Sequence, residues 1–203
     1  TIGYGEIEFA GIPKATTTQV LSMLRDNDLT APSMHCGMAD AQKEFQQRID
    51  YAQAIGSRYI VISFPSTADE RFKDGNALAA GMTLDDWKWN ADQLNRLGEL
   101  TRKAGITCGY HNHNMEFRSY DGVVAYDELL RLTDPKLVTM ELDIGWVYIR
   151  LGEILYEWNE LAQVGDVLRM ILRQGMAVIG VGLGIGLIAA FLLMRLLRSL
   201  LFG

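Results

Sequence analysis

Ile106-Thr107-Cys108-Gly109-Tyr110-His111-Asn112-His113 and Leu137-Val138-Thr139-Met140-Glu141-Leu142-Asp143 are two apparent strands whose alternation decides the fold. Successive residues of a strand face opposite ways. Thr107, Gly109, His111 and His113 therefore share one face, with Ile106, Cys108 and Tyr110 opposite. In the second strand Thr139, Glu141 and Asp143 face one way and Val138, Met140 and Leu142 the other. Glu6 and Glu8 against Ile7 and Phe9 repeat the pattern, as do Ser33 and His35 against Met34. An open doubly wound sheet is apolar on both faces, because helices cover both. One polar and one apolar face instead predicts an α/β barrel, its outside packed on helices and its inner rim carrying functional groups.

Outward from these two strands, the same alternation of elements continues. Strands are expected at Glu6–Phe9, Ala31–His35, Tyr59–Phe64, Ile106–Asn112 and Leu137–Asp143, with helices near 16–26, 41–55, 83–104 and 124–132. That β, α, β, α order is the signature of a parallel sheet. Thr83-Leu84-Asp85-Asp86 supplies an N-cap with acids in the first turn, and Lys103-Ala104-Gly105 a cation and a terminating glycine. Gly56 ends the preceding helix in the same way. Residues 64–82 read as a long loop over the barrel top, a place where substrate is commonly enclosed.

At 203 residues the chain is long enough for one sizeable domain, or a smaller one with an appendage. A formal charge of -6 leaves no basic footprint for a phosphate backbone, so no nucleic-acid partner is expected. Cys36 and Cys108 stand far apart and suggest neither a disulfide framework nor a cysteine zinc site. The opening residues show no signal-peptide pattern, and Thr1 reads as the interior of a domain.

Met176 to Met194 carries no charge and approaches the roughly 20 apolar residues that cross a bilayer core. Arg169, Arg173, Arg195 and Arg198 flank it on both sides, so charge sets no orientation. Gly180 with Gly184, and Gly182 with Gly186, fit the spacing that lets membrane helices pack closely; a smooth lipid-facing helix fits equally well. The same glycines lack the spacing and preceding strand of a dinucleotide loop.

All three histidines, His35, His111 and His113, fall at or near strand ends. Two histidines at i and i+2 on one strand face, with carboxylates nearby, form a nitrogen and oxygen donor set for Mn, Zn, Co or Mg. His111, His113, Glu116 and Asp143 are the candidates; the alternative is that they satisfy one another as buried polar groups. Contiguous His-Asn-His does not match an HNH nuclease, which disperses its residues. Glu8 either binds a substrate hydroxyl or acts as a base, or else pairs with a barrel lysine or arginine. Of the tryptophans only Trp146 is placed at the rim; Trp87 and Trp89 read as core.

Gly3-Tyr4 with Ile7-Glu8, Ala31-Pro32-Ser33-Met34-His35, Tyr110-His111-Asn112-His113 with Glu116-Phe117, and Glu141-Leu142-Asp143-Ile144-Gly145-Trp146 resemble the sugar phosphate isomerase/epimerase family of xylose-isomerase-like TIM barrels, over about residues 1–147. The resemblance implies a divalent metal on vicinal oxygens of a sugar or keto-sugar, with carboxylates moving a proton between adjacent carbons through an enediolate. It implies Asp143 as a metal ligand, ligands or substrate contacts from the His111 to Glu116 strand end, and Glu8 and His35 on the substrate side. The expected set is His113, Glu116 and Asp143 on the metal, Glu8 and Glu116 as catalytic carboxylates, and His35, His111 and rim Trp146 against the substrate. Relative to the family pattern, a strand before Gly3 and two strands after Trp146 are missing, the latter with a further histidine and carboxylate. Residues 160–203, ending Leu200-Leu201-Phe202-Gly203, resemble instead the end of an FtsX-like, macrolide-export-type ABC transporter permease.

The expectation is thus a partial TIM (β/α) barrel lacking its first and last strands (1–147), a junction helix (148–161) and a permease-like juxtamembrane and transmembrane segment (162–203). The metal-dependent isomerase or epimerase activity would be impaired by the missing strands. A permease fragment, or a non-functional fusion of two gene fragments, is the alternative. Membrane association through 176–194 and association through unpaired barrel edges are also expected.

Overall fold

The computed structural model describes residues 3–72 and 74–160, with side chains described as far as residue 154. The chain divides into two compact units, Thr1–Arg150 and Leu151–Gly203, and the sheet and the site belong to the first. Its elements in order are β1 (Glu6–Phe9), α1 (Thr17–Asp26), β2 (Thr30–Gly37), α2 (Met38–Ile55), β3 (Tyr59–Phe64), α3 (Gly75–Gly81), α4 (Leu84–Lys103), β4 (Thr107–His111), a 3-10 turn (Met115–Phe117), β5 (Ser119–Tyr120), β6 (Val123–Val124), α5 (Ala125–Leu132), β7 (Val138–Glu141) and α6 (Ile144–Glu160).

Five strands form one parallel sheet in the order β1-β2-β3-β4-β7, and β5 and β6 make a separate antiparallel hairpin. Strictly sequential order with right-handed crossovers puts every connecting helix on the same side of the sheet, which is barrel rather than doubly wound topology. The α/β fold with a parallel sheet is therefore consistent with a partial TIM barrel. Met34, Cys36, Ile60, Ile62, Cys108, Tyr110 and Val138 fill the covered face and pack on Phe45, Ile49, Trp87, Ala91 and Leu94 of α2 and α4.

Helix ends follow the expected chemistry. Thr83 Oγ1 accepts from the backbone N–H of Asp86, whose carboxylate in turn accepts from that of Thr83, 2.8 Å away. Thr16 and Gln19 make the same reciprocal box at the start of α1. Gly56 closes α2 at φ 79°, a left-handed conformation that costs glycine little.

The structure differs from the sequence-based boundaries at four places. β4 stops at His111 and β7 at Glu141, so His113 and Asp143 lie in the loops beyond their strands. The stretch read as loop contains α3, started by Asp74, whose side chain accepts from Ala77 N at 2.9 Å. The helix expected from 148 begins at Ile144. Asp121 and Gly122, at φ 50° and 85°, turn the short β5–β6 hairpin that the reading passed over. The segment expected to cross a membrane, 176–194, and the permease-like tail lie outside the described residues; among those described, no helix is long and apolar enough to span a bilayer.

Candidate functional site

Glu8 of β1, His35 of β2, His111 of β4 and Glu141 of β7 emerge on the uncovered face at or near the C-terminal ends of their strands, with Ser33 midway along β2 on the same face. Register brings them together: Glu8 is opposite Ser33, and His111 is opposite Glu141. His111 Nδ1 lies 2.7 Å from Glu141 Oε1, and His35 Nε2 lies 3.3 Å from that same oxygen. His35 Nε2 is also 3.3 Å from Glu8 Oε2, and Ser33 Oγ donates to Glu8 Oε1 at 2.5 Å. The two imidazole rings sit 4.9 Å apart. Their side chains are 16% and 12% exposed and Glu141 is 36% exposed, so the group is screened but reachable.

His35, His111 and Glu141 each offer one donor atom, and the three atoms lie within 4.8 Å of one another. Two imidazole nitrogens and one carboxylate oxygen are a donor set that zinc, manganese and cobalt accept, whereas magnesium favours all-oxygen surroundings. The residues present thus fit a divalent ion.

Just above this group lies a second tier from the loops. Asp143 Oδ2 stands 3.8 Å from His111 Nε2. Its other oxygen, Oδ1, accepts from the backbone N–H groups of Gly145 at 2.7 Å and Trp146 at 3.2 Å, capping α6. A Cβ at residue 145 would approach that oxygen to 3.0 Å, which favours glycine there. His113 packs between Trp146, 5.0 Å away, and the edge of Phe64, 5.4 Å away. Burial lowers the pKa of His113, and the neighbouring His111 and His35 push the same way against the opposing pull of Asp143. Its Nδ1 is buried without a partner.

Glu116 is elsewhere. The 3-10 turn folds it back beneath the loop, fully buried, where Oε1 accepts from Tyr110 Oη at 2.7 Å and Oε2 from the backbone N–H of His113 at 2.9 Å. Burial raises its pKa, with Tyr110 and the backbone donors opposing. The expected grouping of His113, Glu116 and Asp143 is therefore not what the structure brings together; β4 ends one residue and β7 two residues early, and the grouping is His35, His111 and Glu141. Glu8 is at the site, and Trp146 borders it through His113. Glu141 and Ser33 were missed as site residues, although parity placed both on the polar face.

Residues 1–174 match the family model described as xylose isomerase-like TIM barrel. Inosose dehydratases from Salmonella typhimurium and Lactiplantibacillus plantarum are 26% and 27% identical to the chain over 121 and 124 residues. Each alignment covers 59% of this chain and 40% of the relative, so the chain spans about two fifths of the length of these relatives. The crystal structure of a sugar phosphate isomerase/epimerase from Parabacteroides distasonis superimposes with a TM-score of 0.57 at 26% identity, over 78% of this chain and 61% of that one. An L-ribulose 3-epimerase shares the fold, with a TM-score of 0.51 at 16% identity over 72% of this chain and 52% of its own. The family match runs into the first residues of the tail read as permease-like, and these relatives lend that reading no support.

Proposed function

We propose that this chain, which belongs to the xylose isomerase-like TIM-barrel family, carries a divalent-metal site that activates a small polyhydroxylated ketone or aldehyde for proton transfer next to its carbonyl. The observation that carries the reading is the convergence of His35, His111 and Glu141 at the C-terminal strand ends, where barrels of this class place their chemistry. Those three residues would hold the ion, and Asp143 Oδ2 stands 3.8 Å from His111 Nε2. A zinc, manganese or cobalt ion bound there supplies Lewis acidity to a carbonyl and an adjacent hydroxyl oxygen.

The chain's own groups account for the remaining chemistry. Glu8 Oε2, 3.3 Å from His35 Nε2, takes the proton from the carbon beside the carbonyl; Ser33 steadies its other oxygen. Returning that proton to the former carbonyl carbon, while the proton of the adjacent hydroxyl passes to the former carbonyl oxygen, completes an isomerisation. Trp146 and His113, whose imidazole is kept neutral by burial, border the site and exclude water from one side of a sugar ring. Glu116 acts in neither step, being buried against Tyr110.

The similarity to inosose dehydratases favours a second outcome of the same first step: loss of a hydroxide from the next carbon in place of proton return. Both outcomes begin with exchange of one carbon-bound hydrogen. Calorimetric titration of the whole chain with Mn, Zn and Co, followed by deuterium exchange into a keto-inositol and a pentulose in heavy water, tests the reading. One ion per chain is expected, with His111→Ala weakening binding at least a hundredfold. Absence of binding in the unaltered chain, or binding undiminished in His111→Ala, overturns it.

A further inference from the structure

We infer that Asn112, which no step above uses, is the positioning residue of this site: its carboxamide fixes the backbone of Asp143 and thereby aims the Asp143 carboxylate at His111. The regular ladder between β4 and β7 ends at the pair His111 and Glu141. Beyond it, the Asn112 side chain takes over the role of the missing strand. Its Oδ1 accepts from Asp143 N at 2.9 Å and its Nδ2 donates to Asp143 O at 3.1 Å. The carboxamide thus replaces a peptide unit, donor for acceptor. Asp143 O also accepts from Val147 N at 3.3 Å, which continues the first turn of α6.

Both backbone groups of Asp143 are therefore held, and the side chain has little freedom left. Oδ1 is occupied by the amides of Gly145 and Trp146, so Oδ2 is the oxygen turned to His111. Asn112 itself has no solvent exposure. Among the side chains of this size, only asparagine both donates and accepts at this reach; aspartate would set an acceptor against the Asp143 carbonyl, and leucine would leave both backbone groups unpaired. Placement between His111 and His113 in sequence means that one short segment supplies a metal-facing ring, the pin for the opposite carboxylate and an aromatic wall.

The same device occurs away from the mouth, which supplies a control. Asn95 Oδ1 accepts from Asp134 N at 2.7 Å and its Nδ2 donates to Leu132 O at 2.9 Å, pinning the loop that leads into β7. Nothing in that loop belongs to the site. A purely structural asparagine should behave like Asn95; a positioning one should not.

This inference rests on the metal reading for one of its two measurements only. In the metal-free whole chain, Asn112→Asp should raise amide hydrogen exchange at Asp143 and Trp146 about tenfold or more, whereas Asn95→Asp should leave both amides protected. With cobalt, Asn112→Asp should shift the visible absorption of the bound ion and weaken its binding about tenfold, and Asn95→Asp should change neither. Asn112→Ser, which leaves room for a water, replaces the aspartate variant if that one fails to fold. Unchanged exchange at Asp143 and Trp146 overturns the inference whatever cobalt does. Unchanged cobalt affinity and spectrum, in a protein that binds the ion, overturns the claim that the pin serves the site. If the unaltered chain binds no cobalt, the metal reading falls and the positional claim is decided by exchange alone.

Discussion

His35 and Cys36 are neighbours on β2, as are Tyr110 and His111 on β4, yet they inhabit two different chemical settings. The uncovered face carries Glu8, Ser33, His35, His111 and Glu141, each within reach of another and each partly open to water. The covered face carries Cys36, Cys108 and Tyr110 under α2 and α4, where burial drives every titratable group toward its neutral form. A strand's period of two thus separates groups that need partners from groups that need only volume. The contrast makes definite demands on stability, because the two faces should respond differently to the same kind of perturbation.

The largest expected effect is alkaline. Burial pushes the Cys108 thiol from 9.0 up to about 12 and the Cys36 thiol to about 11. A pKa raised in the folded state means that the stabilising contribution is intact below the unfolded value and is lost as pH climbs through the folded one. The window is therefore pH 9 to 12, in which Cys108 alone withdraws about 1.4 kcal/mol per pH unit. Urea unfolding at pH 8.5, 9.5 and 10.5 should show a steep fall in stability that flattens in Cys36→Ala/Cys108→Ala. Parallel slopes for the two proteins would mean that the covered face admits water.

Next in size is Tyr110→Phe. The Tyr110 hydroxyl is the donor to Glu116 Oε1, and both groups are fully buried. Removing it strands a buried carboxyl oxygen, at a cost of about 1–3 kcal/mol. Metal affinity should not change, since Glu116 belongs to the covered side. A loss of metal binding without loss of stability would move Glu116 back to the site and dissolve the contrast at this point.

Much of this division was legible in the sequence. Five strands, four helices and the polar face followed from parity and periodicity, and the start of α4 and the ends of α2 and α4 from Thr83 and from the glycines beyond them. Where β7 stops was not legible, because Leu142 and Asp143 continue its alternation without interruption; in β4 a polar residue at an apolar-face position, Asn112, marks the end, although His113 keeps to the polar face. What ends the strands is tertiary: the carboxamide of Asn112 substitutes for the ladder, and Asp143 turns to cap α6. Those two events decide the site, since they detach Asp143 from the strand and leave Glu141 as the last inward carboxylate. Glu116 misled by its nearness in sequence. It lies only three residues from His113, a spacing that faces the other way on an extended strand, and the 3-10 turn at Met115–Phe117 carries it toward Tyr110. The hairpin turned by Asp121 and Gly122 had a clear signal, masked by flanking strands of only two residues.

The smallest effect on stability belongs to Ser33→Ala, and it bears on the uncovered face. Ser33 is half-buried, and its one described side-chain bond is to Glu8, whose own side chain is 33% exposed. Water can replace that donor, so the stability change should stay within about 0.5 kcal/mol. The bond instead limits where Glu8 can point, and without it Oε2 is no longer held at 3.3 Å from His35. In the deuterium-exchange assay the rate should fall several-fold while ion affinity, set by His35, His111 and Glu141, stays the same. A destabilisation above about 1 kcal/mol would show that Ser33 packs as the covered side chains do, and that the two faces are less distinct than their burial indicates.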